Sequence, residues 1–232
     1  MVFSIHQPNY IPYTGYFYKI ASSDVFVILD SVQYPRGQSF AARNRIKTPQ
    51  GTTYLTIPTA IPREKEGKVS YLEVDYADTK WKEKHLKTLA ANYKRTPFYK
   101  EIIEIYSGVL TGNAGFAETN INLIHAFLKY LQINTKIVRL SELLVEYGKK
   151  TNLIIDIGKA LNANTYLSGT GGGKEYNDES LLNQNGISLS YSKFKHPVYA
   201  QLWGEFIPNL SVIDFLFNCG SESRNILLKS NG

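Results

Sequence analysis

The chain is short of the residues that usually announce a chemistry or a compartment. Cys219 is its one cysteine, so no disulfide can close within the chain and no oxidising compartment is indicated. The four histidines show no HExxH, HxxxH or Cys/His spacing, so no metal site is expected. Gly-x-Ser-x-Gly is absent, and Cys219 falls near the end of an apolar helix, where burial rather than nucleophilic use is expected. No run of 18 apolar residues occurs, so no membrane-spanning helix is expected. The opening MVFSIHQPNY has no basic stretch ahead of an apolar one, so it does not read as a signal peptide. Internal repeats, low-complexity tracts and flexible linkers are also missing. Together these absences lead to the expectation of a cytoplasmic protein.

What is present suits one α/β domain of 232 residues, with 43% hydrophobic residues to build a core. The 26 Lys and Arg against 20 Asp and Glu leave a charge of +6, which favours anionic partners such as nucleotides, nucleotide-linked sugars or RNA. Seventeen tyrosines outnumber the 11 Phe and 2 Trp. A flat ring carrying a hydroxyl suits a sugar or base pocket as well as a core.

The opening pattern is the most informative. VFSI (2–5) reads as a buried strand, and the prolines of QPNYIP stop it. A helix is expected from about Gly15, and DVFVILD (24–30) reads as a second strand. Strand, loop, helix and strand form a Rossmann-like βαβ unit with a parallel pair, whose ligands gather at the carboxyl ends of the strands. His6 and Gln7 lie at the first such end, Asp30 and Gln33 at or just after the second. Further on, ARNRIKTPQGTTYLTIPT predicts a hairpin turning at PQG, and KVSYLEVD (68–75) a strand. Residues 77–132 predict three inserted helices, with stripes Trp81, His85, Leu86, Leu89, Tyr93 and Phe116, Leu123, Ile124, Phe127, Leu131. Alternation then resumes: strands in TKIVRLS, TYLSG and ISLSYSKF, helices in NLIIDIGKAL, ESLLNQNG and SVIDFLFNCG. The sheet is expected to be parallel or mixed.

Four groups of residues are candidates for chemistry. The HQPNY loop offers His6 as acid, base or ligand contact, with Gln7, Asn9, Tyr10 and Tyr16 around it. YLSGTGGGKEYND brings Ser168, Gly169, Gly171, Gly172 and Lys174 after a strand. There, backbone N–H groups could approach a phosphate, although the spacing fits neither GxxxxGK[ST] nor GxGxxG. PRGQSFAARNR supplies Arg36, Arg43, Asn44 and Arg45, whose guanidinium forks suit phosphate or carboxylate. The last group is His196, Tyr199 and Gln201, with Asp214 and Asn218 four apart on one helical face. Each group has an ordinary structural alternative: a satisfied turn, a bare hairpin face or a helix cap. His85 and His125 read as packing or surface residues.

HQPNYIPYTGYFYKIASSDVFVILDSVQY, RNRIKTPQGTTYLTIP, YLSGTGGGKEY, HPVYAQ and FIPNLSVIDFLFNCG, in this order, resemble the WbqC-like protein family nearly end to end. Tyr13-Thr14 stands where the family often has Trp-Leu, and Ser31 where a second acid is common, which leaves Asp30 alone. Members occur in gene clusters for O-antigens and other surface polysaccharides, and in some natural-product clusters. The resemblance implies acyl or aminoacyl (for example glycyl) transfer to the amine of a nucleotide-linked amino sugar. His6 would then be the base and Asp30 or Asp214 would orient it, while Arg43, Arg45 and the glycine loop would hold the diphosphate. Acyl-CoA, an ATP-derived adenylate or aminoacyl-tRNA could be the donor, which makes tRNA a possible partner. The layout is also similar to HIGH-motif nucleotidyl transferases, but YTGY stands where their second histidine pair lies. A non-catalytic sugar- or nucleotide-binding accessory protein is the alternative, and an RNA-binding module a third.

Overall fold

The computed structural model describes residues 1–35, 37–65, 68–171 and 177–230. Strand β1 (Val2–His6) leads through a proline-bounded loop into helix α1 (Thr14–Ala21) and then β2 (Val25–Ile28). β1 and β2 pair in parallel, Phe3 opposite Val25 through His6 opposite Ile28. All four residues of β2 are buried, as expected when both faces of a parallel sheet are covered.

The chain then leaves the sheet. β3 (Arg43–Thr48) and β4 (Gly51–Thr56) form the expected antiparallel hairpin. In the segment predicted as a strand at 68–75, the backbone instead makes a 3₁₀ turn, Tyr71–Glu73, closed by a capping box between Ser70 and Glu73. Only Asp75–Tyr76 is extended there; as β6 it pairs with Thr59–Ala60, β5. Serine with an acid three residues later is itself a turn signal, and it outweighs the β-branched content here. Helices α2 (Trp81–Tyr93), α3 (Tyr99–Leu110) and α4 (Phe116–Tyr130) follow within the expected 77–132.

The chain re-enters the sheet as β7 (Lys136–Arg139), on the outer side of β2, and crosses by α5 (Thr151–Ala160) to β8 (Thr165–Ser168) beside β1. Helix α6 (Glu179–Gln184) and β9 (Ser188–Tyr191) complete the sheet. Its order is β7-β2-β1-β8-β9, parallel throughout. The terminal pair α7 (Val212–Cys219) and α8 (Ser223–Leu228) is hinged at Gly220, whose φ is +51°. A side chain at Gly220 would also strike the Phe98 ring at 2.1 Å.

Strand alternation divides the apolar residues between two cores. Phe3, Ile5, Val25, Val27 and Leu29 face Ile154, Ile157 and Leu182 of α5 and α6. Phe26 and Ile28 face Phe17 and Ile20 of α1, with the helical layer behind. α5 lies close enough that a Cβ on Gly158 would meet Ile187 at 2.6 Å and the Phe3 ring at 3.2 Å. Successive strands progress outward from β1 to β7, and the chain then returns to the other side of β1. β1 and β8 are therefore neighbours whose connections diverge. In open parallel sheets, this divergence at the carboxyl ends leaves a crevice.

Candidate functional site

The loop after β1 is held by two side-chain amides. Asn44 Nδ2 donates to the carbonyls of Ile11 (2.8 Å) and Tyr10 (3.4 Å). Asn120 Nδ2 donates to those of Pro8 (2.9 Å) and Ala41 (2.8 Å). These bonds satisfy backbone acceptors that the prolines take out of any ladder, and they hold Ile11 at a φ of +36°, a conformation a β-branched residue rarely adopts. The Tyr13 ring folds back over Gly15, where a Cβ would lie 2.4 Å from it.

At the divergence of β1 and β8 opens a cleft of about 760 Å³, the size of an ordinary small-molecule site. His6 at the end of β1 and Gln7 after it, Gly15, Tyr16 and Lys19 of α1, and Ser168 at the end of β8 with Gly169 to Gly171 after it line the cleft. Tyr147 to Lys150, before α5, close one side, and Ser31 to Gln33, Ser192 and Phe194 add to the wall. Ile5, Leu29, Leu153, Ile154 and Tyr166 supply apolar surface. Three lysines (Lys19, Lys149 and Lys150) and no Asp or Glu line it among the described residues, so the cleft attracts anions.

His6 packs edge-on to Tyr16, with ring centroids 4.9 Å apart. Its Nδ1 lies 3.1 Å from the Gln7 carbonyl. A carbonyl can only accept, so Nδ1 carries the proton and Nε2 keeps its lone pair. Burial, then the nearby Lys19 ammonium, lower the pKa to about 3, against the smaller effect of the Gln7 carbonyl. The imidazole is neutral near pH 7. Tyr16 Oη donates to the same carbonyl at 3.1 Å. Lys19 is 6% exposed and its Nζ donates to the Ile5 carbonyl at 2.9 Å. Burial lowers its pKa to about 7. Ser168 accepts from Asn177 Nδ2 at 2.9 Å, and Tyr147 Oη lies 2.9 Å from Ser31 Oγ.

Residues 7–226 match the WbqC-like protein family. The chain belongs to that family. It is also 31% identical over 227 residues to the Mycobacterium tuberculosis (strain ATCC 25618 / H37Rv) protein described as "Uncharacterized protein Rv1507c", covering 97% of this chain and 96% of that one. No solved structure matches the chain.

Of the residues expected to form a site in this WbqC-like chain, His6, Gln7, Tyr16, Gln33, Ser168, Gly169 and Gly171 come together in the cleft. Gly172, Lys174 and Arg36 lie outside the described residues. The others sit elsewhere. Asn9 is half-buried in the loop, with its N–H on the Gln7 carbonyl at 2.9 Å. Tyr10 is fully buried against the helical layer, where its hydroxyl meets His85 Nδ1 at 2.8 Å and the Tyr106 hydroxyl. His85 Nε2 donates to the Thr56 carbonyl at 3.1 Å. Asp30 is fully buried beside β7, accepting from Arg139 Nε (2.7 Å), Ser141 N (3.0 Å) and Ser141 Oγ (2.7 Å). Arg139 also pairs with Glu118 at 2.8 Å.

A second polar cluster surrounds Asp214 on α7. Its carboxylate accepts from Tyr93 Oη (2.7 Å) and Tyr199 Oη (2.8 Å). Burial pushes this carboxyl above the usual range, against the pull of the two hydroxyls and of Lys47. Lys47 Nζ donates to Gln201 Oε1 at 3.0 Å and to the Glu205 carbonyl. Asn218 Nδ2 caps the Asp214 carbonyl at 2.7 Å, and His196 Nδ1 donates to the Pro197 carbonyl at 2.8 Å. Arg43 is bonded to Gln38 and lies 4.3 Å from the Tyr54 ring centre, while Arg45 reaches the Asn209 carbonyl at 3.3 Å. None of these residues lines the cleft. Cys219 is buried beside this cluster, and burial holds its thiol up at about 12.

Lys19, Ser192, Asn177 and Tyr147 to Lys150 line the cleft without having stood out in the sequence. A signal existed for Lys19, since Gly15, Tyr16 and Lys19 share one face of α1 by helical spacing. Tyr147 to Lys150 carried none, being brought in only by the crossover from β7.

Proposed function

We propose that the cleft binds a nucleotide-linked amino sugar and that the chain transfers an acyl or aminoacyl group to the sugar's amine, in the making of an O-antigen or another surface polysaccharide. The observation that carries this reading is the cleft itself: it opens at the divergence of β1 and β8, is lined by three lysines, and contains a neutral histidine. Its basic lining suits the phosphates, and its apolar wall of Ile5, Leu29 and Ile154 suits a base or sugar ring. The attacking amine must lose a proton as the C–N bond forms. In this reading His6 Nε2 accepts that proton and passes it to the leaving group: the thiolate of CoA, the phosphate of AMP or the ribose alkoxide of tRNA. The bond that breaks is C–S for an acyl-CoA donor, or C–O for an adenylate or aminoacyl-tRNA. A bound diphosphate beside the imidazole raises its basicity. Asp30 and Asp214, held in networks away from the cleft, serve the fold in this reading.

The low basicity of His6 favours a second reading, a non-catalytic nucleotide-sugar binder of the same pathway. His6→Asn separates the two. The amide keeps a donor for the Gln7 carbonyl but supplies no base. Acyl transfer to a nucleotide-linked amino sugar, followed by mass spectrometry, is expected to fall about 100-fold or more with affinity nearly unchanged. Unchanged product formation would rule out His6 as the base. Absence of any product with the wild-type chain across the three donor classes would leave the binder.

A further inference from the structure

Two buried polar groups in the cleft are left over once the fold has been accounted for. Lys19 Nζ, 6% exposed, donates to a backbone carbonyl and lies 5.8 Å from the Phe26 ring centre, with no carboxylate beside it among the described residues. Ser192 is 8% exposed, and its hydroxyl is buried with no hydrogen-bond partner among the described residues. Burying a cation without a counter-charge and a hydroxyl without a partner is costly, and native structures rarely retain such groups without a use.

Both groups belong to the same end of the sheet. Lys19 reaches the carbonyl of Ile5 near the end of β1, and Ser192 N–H binds the carbonyl of Ser168 at the end of the adjacent β8 (2.8 Å). They flank the divergence point from its two sides. The N-terminus of α1, with Gly15 and Tyr16 on the cleft, lies at the same end of the sheet. An anion entering here gains a cation, a hydroxyl donor and a helix N-terminus at once.

We propose that Lys19 and Ser192 form the innermost subsite of the cleft and receive the diphosphate of a nucleoside diphosphate. This rests on the reading of the cleft as a nucleotide-linked ligand site, and it assigns the phosphates to α1 and the ends of β8 and β9 rather than to Arg43 and Arg45. Lys19 binds its ligand as the ammonium, so at pH 8 a proton is taken up on binding. The other titratable or charged groups facing this space among the described residues are His6 of β1, Tyr13 and Tyr16 at the start of α1, Tyr166 of β8, and Tyr147, Lys149 and Lys150 before α5.

Titration calorimetry at pH 8, with UDP, inorganic pyrophosphate and uridine as probes, tests the assignment. The wild-type chain is expected to bind UDP and pyrophosphate. Lys19→Met should weaken both about 10- to 100-fold and leave uridine binding unchanged. Ser192→Ala should weaken both about 3- to 10-fold. UDP is fully ionised at pH 8, so proton uptake, read from the dependence of the heat on buffer ionisation, belongs to the protein. It should be present in the wild type and lost in Lys19→Met. The wild-type proton measurement needs no variant, and Lys19→Arg, which keeps the charge, should retain pyrophosphate binding. Equal UDP and pyrophosphate affinity in wild type and Lys19→Met, binding without proton uptake, or no binding of either anion would each overturn the subsite. If pyrophosphate binding depends on Lys19 but no nucleotide-linked amino sugar is acylated, the subsite stands and the transferase reading fails. If Lys19→Met acylates such a sugar as well as wild type does, the subsite fails and the transferase reading stands.

Discussion

His6 and Lys19 lie in the same desolvated corner, where burial holds each toward its neutral form and the Lys19 ammonium adds to the effect on His6. This couples the site to stability. The folded pKa of His6 is about 3 and that of His85 about 4, both below the ordinary 6.5. Between those values and 6.5 the unfolded chain binds more protons, so stability should rise with pH across that window and be lost on acidification. Lys19, at about 7 against an ordinary 10.5, extends the rise above neutrality. Chemical denaturation at pH 7 to 9 should show this alkaline gain, and Lys19→Met should flatten it. An unchanged slope in that variant would contradict the burial of Lys19 without a counter-charge. Asp30 behaves differently. It is fully buried, and Arg139→Met would leave it with only the two donors of Ser141. A loss of about 2–3 kcal/mol is expected in urea melts, from the uncompensated carboxylate. A variant as stable as wild type would show that the pair carries no load.

At the scale of elements, the loop from Gln7 to Tyr13 depends on α4 and β3, which lie far from it in the chain. Asn120→Ala removes the donor to two carbonyls in the interior, Pro8 and Ala41, and should cost about 2–4 kcal/mol. It should also weaken ligand binding in the cleft, because the loop carries Gln7 into α1. Loss of stability with full affinity would uncouple loop and cleft. The strand–loop–helix–strand opening was legible in the sequence because its signals are local: an apolar run, two prolines, a glycine and a second apolar run. The same holds for the hairpin and for the three helices, whose stripes are long. The 68–75 segment misled because the Ser70–Glu73 capping turn competes with its β-branched residues. Helix α8, six residues long, has too few turns to show a period. Asp30 reads as a site residue because the sequence places it at a strand end, and Tyr10 because it lies in the loop after one. Which way a side chain turns there is decided by distant partners, Arg139 and His85, that local pattern does not reveal.

For the molecule as a whole, sheet order decides where a ligand can go. The β7-β2-β1-β8-β9 order puts the divergence between two strands whose starts, Val2 and Thr165, are far apart in the chain, so no local stretch announces it; it emerges only when Thr165 pairs with Val2. The excess of positive charge, +6 over the chain, is spread thinly, but the cleft concentrates three lysines without a carboxylate among its described residues. Among the described residues no helix is long and apolar enough to cross a membrane. With Lys19, Lys149 and Lys150 in its lining, the cleft should bind anions more weakly as salt rises. The most direct test of the central claim is thermal stability against nucleotide-linked amino sugars, free nucleotides, ATP and acyl-CoA. A ligand at 100 times its dissociation constant stabilises the native state by about 2.7 kcal/mol, or roughly 5 to 10 °C for a chain of this size. The account predicts that shift with a nucleotide-linked amino sugar and a smaller one with the free nucleoside diphosphate. No shift with any of these compounds would contradict it.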